Sequence, residues 1–394
     1  MPVNELNQTP NSTRTHIGIF GRTNSGKSSL INAIASQQTA LVSPVAGTTT
    51  DPVYKSIELH PLGPCVLIDT AGFDDDGELG AMRTERTAQV IEKTDIAILV
   101  IDAQNNDFSE EEKWIDRLKE KKIPIIVAVN KSDENDQIPS WVKQFSFVSV
   151  SAKTGKGIDK LKAMIASKSP SDDDISITGE VAKAGDHVLL VAPQDIQAPK
   201  GRLILPQVQT IRDLLDHKAL VSIVTTDQLE AALRLYKDPP QLIITDSQVF
   251  DIVAKLTPKG TKLTSFSVLM AKFKGDIDVF VKGAAKLDTL KEKDKVLILE
   301  ACTHNPLDGD IGRIKIPQML RKKIGEKISI DVRSGNDFPD DLTSYALVIH
   351  CGGCMFNRKY MLSRVEHCVK QGVPITNYGI FIAKVKGILD RVVY

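Results

Sequence analysis

The stretch THIGIFGRTNSGKSSLINAIAS (15–36) decides the fold of the N-terminal part of this 394-residue chain. A short apolar run leads into a glycine turn, and a segment with helical spacing follows it. The turn holds the pattern G-x-x-x-x-G-K-[ST] from Gly21 to Ser28, which between a strand and a helix is typical of a phosphate-binding loop. Backbone N–H groups of such a loop bind phosphate oxygens together with the helix N-terminus. We therefore predict a nucleotide-binding domain.

Further apolar runs alternate with amphipathic segments after this loop. They are CVLID (65–69), IAILVID (96–102), PIIVAVN (124–130) and FSFVSVS (145–151). Continuous apolar runs are typical of parallel strands that helices cover on both faces. The acidic, proline-containing stretch SKSPSDDD (167–174) reads as a linker, so we expect the first α/β domain to span residues 1–168.

The rest of the chain predicts two more α/β domains, so the expected fold class is α/β with three domains. Residues 169–265 alternate strand and helix signals without a phosphate loop, metal spacing or nucleophile motif, which favours a scaffold or association domain. Residues 266–394 predict a doubly wound sheet whose first segment, VLMAKFKGDIDVFVKGAAKLDTL (268–290), looks helical.

Composition excludes several classes of protein. The 50 basic and 50 acidic residues cancel, so no overall field attracts the chain to nucleic acid or to a membrane surface. No apolar run approaches the roughly 18 residues that span a bilayer, and the first fifteen residues do not resemble a signal peptide. We expect a cytoplasmic protein without membrane or nucleic-acid partners, whose five cysteines do not form a disulfide framework.

Two motifs predict how the phosphates and the metal are held. Lys27 is expected to reach the β- and γ-phosphates, and Ser28 to ligate Mg²⁺. In DTAG (69–72), Asp69 ends a predicted strand near the metal and the Gly72 N–H lies near the γ-phosphate. We predict that Lys27, Asp69 and Gly72, together with Thr49, serve nucleotide hydrolysis.

Two later motifs predict which base is bound. In NKSD (130–133), Asp133 can accept hydrogen bonds from the N1–H and 2-amino groups of guanine, which adenine does not offer. Asn130 can contact N7, Lys131 can cover the ring, and SAK (151–153) can present an N–H to O6. The chain is therefore predicted to be a GTPase. The predicted nucleotide contacts are Gly21, Asn24, Ser25, Gly26, Lys27, Ser28, Ser29, Asn130, Lys131, Asp133, Ser151, Ala152 and Lys153.

The first domain resembles the translation-factor-like GTPases, in particular the Era and tRNA-modification branch. VAGTTTDPV (45–53) looks like the first switch of that branch, which implies that Thr49, or failing it Thr48, ligates Mg²⁺. Phe73 stands where a glutamine would normally orient the attacking water, so intrinsic hydrolysis is expected to be slow. Asn24 occupies the position that helps to bind K⁺ in the tRNA-modification branch, which implies K⁺-stimulated hydrolysis. The acidic DDDGE (74–78) could orient water but reads more simply as a solvated loop.

Three cysteines and two histidines form a second candidate site. Cys302-x-His304 and His350-Cys351-x-x-Cys354 each follow an apolar strand of the third domain. If these strands are parallel, both motifs lie at the carboxyl edge of the sheet, where α/β proteins place their sites. Thiolates and imidazoles suit both zinc and iron–sulfur clusters, and ligand type alone leaves the choice open. Cys65 and Cys368 are expected to be packing residues.

The order of the three domains and this paired motif resemble the FeFe-hydrogenase maturation GTPases over the whole chain. The resemblance implies a 4Fe–4S cluster on Cys302, Cys351 and Cys354, and a homodimer formed through the middle domain. It also implies a scaffold or carrier that accepts a diiron subcluster precursor, made with radical-SAM maturases, and delivers it to apo FeFe-hydrogenase. His304 and His350 are the candidate fourth ligands, and Glu300 and Asp308 are weaker ones.

Two alternatives compete with this interpretation. One is an Era-like ribosome or tRNA GTPase with a zinc-binding C-terminal module, which the neutral charge and the lack of a basic, aromatic-interleaved stretch disfavour. The other is a redox enzyme that uses Cys351 and Cys354 as a dithiol, a role that needs neither Cys302 nor the histidines.

Overall fold

The computed structural model describes residues 9–36, 52–72, 78–105, 107–169, 176–193, 203–301 and 310–394. The chain divides into two compact units, Met1–Ser171 and Asp172–Tyr394. Each unit is an α/β structure, which confirms the predicted fold class. The predicted linker lies largely outside the described residues.

The first unit is built on a six-stranded sheet with the order β2-β3-β1-β4-β5-β6. All neighbouring strands are parallel except β2 and β3, which are antiparallel. The strands are β1 (Thr15–Phe20), β2 (Val53–Leu59), β3 (Gly63–Asp69), β4 (Ile96–Asp102), β5 (Ile125–Asn130) and β6 (Ser146–Ser149). The helices are α1 (Lys27–Ser36), α2 (Glu78–Ile91), α3 (Ser109–Glu120) and α4 (Ile158–Lys168).

Helices cover both faces of this sheet. Leu30 of α1 and Leu161 of α4 belong to the core on one face, while Trp114 and Leu118 of α3 belong to the core on the other. In β4, every residue from Ile96 to Ile101 is fully buried. This two-sided burial is the physical reason why the strands read as continuous apolar runs.

The second unit begins with a four-stranded parallel sheet with the order β10-β9-β7-β8. Its strands are β7 (His187–Val191), β8 (Leu220–Val224), β9 (Leu242–Thr245) and β10 (Lys262–Ser265). Its helices are α5 (Leu205–Asp216), α6 (Leu229–Leu235), α7 (Phe250–Leu256) and α8 (Phe266–Lys274).

A second four-stranded parallel sheet, with the order β12-β11-β13-β14, completes this unit. Its strands are β11 (Lys295–Glu300), β12 (Ser329–Ser334), β13 (Leu347–His350) and β14 (Ile375–Asn377). Its helices are α9 (Ile277–Ala284), α10 (Ile316–Ile324), α11 (Arg358–Lys370) and α12 (Tyr378–Val385). The strand order reverses direction between β11 and β13, which makes the carboxyl ends of these two strands the topological switch point.

One hydrophobic core joins the two sheets of the second unit. It contains Val191 of β7, Phe250 of α7, Val268 of α8, and Leu297 and Ile375 from the second sheet. The predicted boundary between residues 265 and 266 therefore falls within one compact unit, between β10 and α8, and it stays a prediction.

The long helical segment expected after residue 265 is two helices. α8 ends at Lys274, and the Asp276 carboxylate accepts the Val279 N–H at 3.1 Å to begin α9. A turn of π-helix over Ile311–Lys315 leads into α10, next to the segment 302–309. Within the described ranges, no helix combines the length and the hydropathy that crossing a membrane requires.

Candidate nucleotide and cysteine sites

The loop after β1 has the backbone that a phosphate-binding loop needs. Gly26 has a φ of 92°, and a Cβ there would lie 2.2 Å from Asn130 Nδ2. Asn24 has a φ of 62°, which asparagine tolerates better than most residues. Glycine is therefore required at position 26 by both its conformation and a close neighbour.

The side chains of Ser28 and Asp69 are in contact, so their oxygen atoms are close enough to bind one Mg²⁺ ion together. The Ser28 hydroxyl donates to Asp69 Oδ2 at 2.6 Å, while Asp69 Oδ1 is buried without a hydrogen-bond partner among the described residues. Burial raises the pKa of Asp69, and the Ser28 hydroxyl and Lys27 oppose that rise. A buried carboxylate oxygen without a donor beside a hydroxyl fits a hard cation with oxygen ligands.

Lys27 is positioned by the loop itself. It is only 8% exposed, and its ammonium donates to the carbonyls of Gly21 at 2.9 Å and Arg22 at 2.8 Å. These carbonyls hold the cation at the loop, where it can neutralise phosphate charge.

Asn130 connects the phosphate loop to the guanine-binding loop. Its Nδ2 donates to the Ser25 carbonyl at 2.9 Å, and its Oδ1 accepts the Ala152 N–H at 3.1 Å. A hydrogen bond from the Ser151 hydroxyl lowers the pKa of the exposed Asp133, which keeps it a charged acceptor. The sequence predicted all five residues as nucleotide contacts, and the structure brings them to one place.

A cavity of about 410 Å³ lies between these two loops. Its lining residues are Asn24, Gly26, Lys27, Ser28, Ser29, Asn130, Lys131, Asp133, Glu134, Ala152 and Lys153. Lys131 forms an ion pair of 2.5 Å with Asp102 at the end of β4. The aliphatic stem of a lysine held in this way can lie along a ring while its charge stays paired.

Other predicted residues of this site lie outside the described residues: Thr48, Thr49, Phe73 and the acidic stretch 74–77. Gly72 is the last described residue before that stretch, at the end of the DTAG motif. The expected roles of the first switch and of residue 73 stay predictions.

Arg22 is a residue of this site that the sequence did not single out. Its Nε donates to both carboxylate oxygens of Glu111, at 2.9 and 3.1 Å, and its Nη2 donates to the Asp107 carbonyl at 2.9 Å. Glu111 is only 2% exposed, so this ion pair fastens the phosphate loop to α3. The partners are 89 residues apart, and no local pattern links them.

In the second unit, Cys351 stands at the topological switch point. Its N–H donates to the Leu299 carbonyl of β11 at 2.9 Å, and its Sγ accepts the N–H groups of Ala301 at 3.1 Å and Gly353 at 3.4 Å. Cys354 follows in the same loop, and both cysteines are half-buried. Burial raises the pKa of Cys351 to about 11, and the Gly353 N–H opposes the rise.

Cys302, His304 and Asp308 lie outside the described residues. Among the described residues, no group of three His, Cys, Asp or Glu side chains is arranged to hold a metal. The predicted cluster ligands are therefore seen only in part, as Cys351 and Cys354.

His350 differs from what a fourth ligand needs. It is fully buried, and its Nε2 lies 3.0 Å from Arg364 Nη1. An arginine only donates, so Nε2 accepts, and the proton sits on Nδ1, which donates to the Cys351 carbonyl at 2.8 Å. Burial and the nearby Arg364 lower the pKa of His350 to about 3. Both ring nitrogens are occupied, so in this arrangement His350 orients the cysteine loop and has no nitrogen left for a metal.

Glu300, a weaker candidate ligand, is held by another partner. Its Oε2 accepts from Arg313 Nε at 3.0 Å, and the side chain is 6% exposed. The neighbouring Tyr378 hydroxyl is buried without a hydrogen-bond partner among the described residues. A Cβ on Gly312 would lie 2.2 Å from this hydroxyl and 2.4 Å from Glu300 Oε1, so the tyrosine, the carboxylate and the π-helical turn meet at one point.

Lys274, at the end of α8, reaches into the cysteine loop. Its ammonium donates to the carbonyls of Gly353 at 3.1 Å, Cys354 at 3.3 Å and Phe356 at 2.7 Å. The side chain is only 1% exposed. Nothing in the pattern MAKFKG (270–275) marks this lysine as different from its neighbour Lys272.

Cys65 and Cys368 are fully buried, each in a hydrophobic core. Burial raises the pKa of both thiols to about 12. These environments are those of packing residues rather than of reactive or metal-binding thiols.

Three protein-family models match the chain. Residues 16–131 match the one described as 50S ribosome-binding GTPase. Residues 177–275 match the hydrogen maturase F dimerization domain, and residues 278–394 match the hydrogen maturase F tetramerization domain. The chain belongs to the hydrogen maturase F family. This membership confirms the predicted family resemblance, the predicted GTPase domain and the predicted relation to hydrogenase maturation.

The tetramerization match adds association beyond the homodimer that the sequence analysis predicts. Dimerization and tetramerization domains support an oligomer, and the tetramerization match covers the segment in which we expected only a cluster site. Residues 278–394 thus combine the tetramerization match with the predicted cluster ligands.

Curated relatives match the GTPase part. GTPase Der of Nautilia profundicola is 39% identical over 163 residues, which cover 37% of this chain and 34% of that protein. The tRNA modification GTPase MnmE of Chromobacterium violaceum is 33% identical over 186 residues, covering 44% and 41%. The chain thus spans only about a third to two fifths of these relatives. Among solved structures, Era of Aquifex aeolicus bound to GDP and AlF₄⁻ matches with a TM-score of 0.33 and 19% identity, covering 56% of this chain and 98% of that one.

Proposed function

We propose that this chain is a GTP-hydrolysing scaffold that binds a 4Fe–4S cluster and delivers a diiron subcluster precursor to apo FeFe-hydrogenase. One observation carries the proposal: Cys351 lies at the switch point of a sheet, with two N–H donors on its sulfur, in a member of the hydrogen maturase F family. Amide donors to sulfur are a common feature of iron–sulfur sites, because they stabilise thiolate charge.

Three cysteines would hold the cluster. Ala301, whose N–H donates to Cys351 Sγ, immediately precedes Cys302 in the sequence. This supports Cys302 as the third ligand beside Cys351 and Cys354. When bound, such a cluster would have one iron without a cysteine ligand. The diiron cargo could attach to this iron and be released from it.

The fourth ligand is better assigned to His304 than to His350. Both nitrogens of His350 are engaged, and Arg313 holds Glu300. His350 is then a residue that orients the loop, a role usual for hydrogen-bonded histidines next to metal ligands.

The GTPase domain, proposed as residues 1–168, supplies the nucleotide chemistry. Ser28, Asp69 and Thr49 would ligate Mg²⁺, and Lys27 and the Gly72 N–H would stabilise charge on the γ-phosphate. Asn24 would help to bind K⁺, which replaces the stabilising charge of an arginine. We expect hydrolysis to be faster in KCl than in NaCl at equal ionic strength, and an Asn24→Ala variant to lose this difference.

The remaining segments would divide assembly and cargo handling. Residues 169–265 are proposed to form the homodimer contact, and residues 266–394 the cluster site. We propose that GTP gates the association with apo FeFe-hydrogenase and with the radical-SAM maturases rather than driving cluster chemistry.

A transfer assay tests this function. The chain is loaded with diiron cargo by co-expression with the maturases, purified without oxygen, and mixed with apo FeFe-hydrogenase in the presence of GTP, GDP or a non-hydrolysable analogue. Hydrogenase activity should appear, and both its rate and the measured affinity between the proteins should depend on the nucleotide. Activity and affinity that are the same in all three nucleotides would contradict gating. No activity from cargo-loaded protein would contradict delivery.

A further inference from the structure

Two buried cations flank the cysteine loop without a carboxylate partner among the described residues. Lys274 is 1% exposed and Arg364 is 2% exposed. The Lys274 ammonium contacts three loop carbonyls, and the Arg364 guanidinium contacts His350 and the Gly335 carbonyl. Of the buried carboxylates among the described residues, Glu300 is paired with Arg313, and Asp310 accepts the Arg313 N–H at 2.8 Å.

Such an arrangement is costly unless an anion completes it. Carbonyl oxygens solvate an ammonium only in part, and a buried charge without a counter-charge is strongly unfavourable. The Lys274 ammonium lies against the backbone of the loop that carries Cys351 and Cys354, whose thiols become anionic when they bind a metal.

We propose that Lys274 is a positioning residue that binds the C-x-x-C loop and supplies the counter-charge for an anionic cluster, thereby stabilising its reduced form. A cluster gains one negative charge on reduction, so a nearby fixed cation favours the reduced state. This inference rests on the proposed cluster function.

The proposed cluster site is formed by two segments of the chain that match different family models. Lys274 belongs to the segment that matches the dimerization domain, residues 177–275, whereas the C-x-x-C motif belongs to the tetramerization match, residues 278–394. A helix of the dimerization segment thus sets the charge next to the cluster. Any change that moves the end of α8 would alter both the reduction potential of the cluster and the hydrogen bonds from Lys274 to the C-x-x-C loop.

The test compares Lys274→Met, Lys274→Arg and the wild-type full chain after anaerobic reconstitution with iron and sulfide. Lys272→Met is the matched control, because it removes the same charge from the same helix at a side chain that pairs with the exposed Glu180. Iron per chain and an EPR-monitored redox titration are measured for each.

We expect the Met variant at position 274 to have a more negative midpoint potential. At the wild-type midpoint its ratio of reduced to oxidised cluster should fall on the order of tenfold, as expected for removing a unit charge close to the cluster. The Arg variant and the Lys272 control should keep the wild-type ratio. A wild-type midpoint in Lys274→Met would overturn the inference.

Iron binding by the variants also tests the role of Lys274. Lys274→Met could fail to bind iron. In that case, a Lys274→Arg variant that binds iron with a wild-type midpoint potential supports the role of Lys274 as a counter-charge. Loss of iron in both variants overturns that role. If the wild-type chain itself binds no iron, the proposed cluster function fails, and that failure is distinct from an unchanged midpoint.

Discussion

Asn130 links the two loops of the nucleotide site, so its replacement by alanine tests how much this link contributes to GTP binding. The side chain is 2% exposed and satisfies the buried Ser25 carbonyl and the part-buried Ala152 N–H. In Asn130→Ala both groups lose their partner. The Ala152 N–H is only part-buried and can recover a bond from water, whereas the Ser25 carbonyl is buried.

The magnitude follows from that difference. A buried polar group left without a partner costs about 1–3 kcal/mol. If nucleotide binding must restore the loop geometry against this cost, affinity falls by roughly 5- to 150-fold, since 1.4 kcal/mol corresponds to a factor of ten. We expect the Kd for a fluorescent GDP analogue at fixed Mg²⁺ to rise within this range.

Asn135→Ala is the matched control. Its Nδ2 donates to the Ala103 carbonyl at 3.2 Å, and it follows the same strand without contacting the phosphate loop. Its Kd should stay within about twofold of wild type, the range of substitutions away from buried networks. If Asn130→Ala also stays within twofold, the linking role is refuted.

Three further predictions concern the two sites. Gly353 has a φ of 62°, and a Cβ there would lie 2.5 Å from the sulfur of Met361. Gly353→Ala should therefore destabilise the protein by about 1–3 kcal/mol in denaturant titrations and lower iron binding. Gly352→Ala is the control and should change neither quantity, because the nearest atom to a Cβ at position 352 is 3.9 Å away. Asp133→Asn should weaken GTP binding by roughly 10- to 150-fold and improve binding of xanthosine triphosphate, measured by competition, because the amide turns a donor toward the guanine 2-amino group. Cys65 and Cys368 should resist iodoacetamide at pH 8 in the native apoprotein, as scored by mass spectrometry. Since their folded pKa of about 12 exceeds the unfolded value near 8.5, their contribution to stability is complete below pH ~8.5 and is lost as pH rises toward 12. Rapid alkylation of either thiol at pH 8 would contradict this burial.

The sequence was sufficient for the fold class because long apolar runs and one phosphate loop carry local information. The strands β1, β4 and β5 are buried on both faces, and that burial is visible as continuous hydrophobicity. β2 was not predicted. It is the antiparallel edge strand, only partly buried, and it follows directly on the stretch assigned to the first switch, so it lacks the continuous apolar pattern.

The candidate sites were predictable only where chemistry follows a short motif. Asn130 and Asp133 sit in one motif, and the structure brings them to one cavity with the phosphate loop. Lys274 and Arg22 were missed, because their roles depend on partners 79 to 89 residues away. His350 was chosen for its position beside Cys351, and only the buried contact with Arg364 reveals what its nitrogens do.

The most direct test of the account is the iron content of the anaerobically reconstituted chain, with EPR of the reduced protein. The wild type is compared with a Cys302→Ser, Cys351→Ser, Cys354→Ser triple variant and with a Cys65→Ala, Cys368→Ala control. We predict about four irons per chain and a reduced-cubane signal in the wild type and the control, both lost in the triple variant. One zinc and no iron in the wild type, or a cluster that survives in the triple variant, would contradict the account.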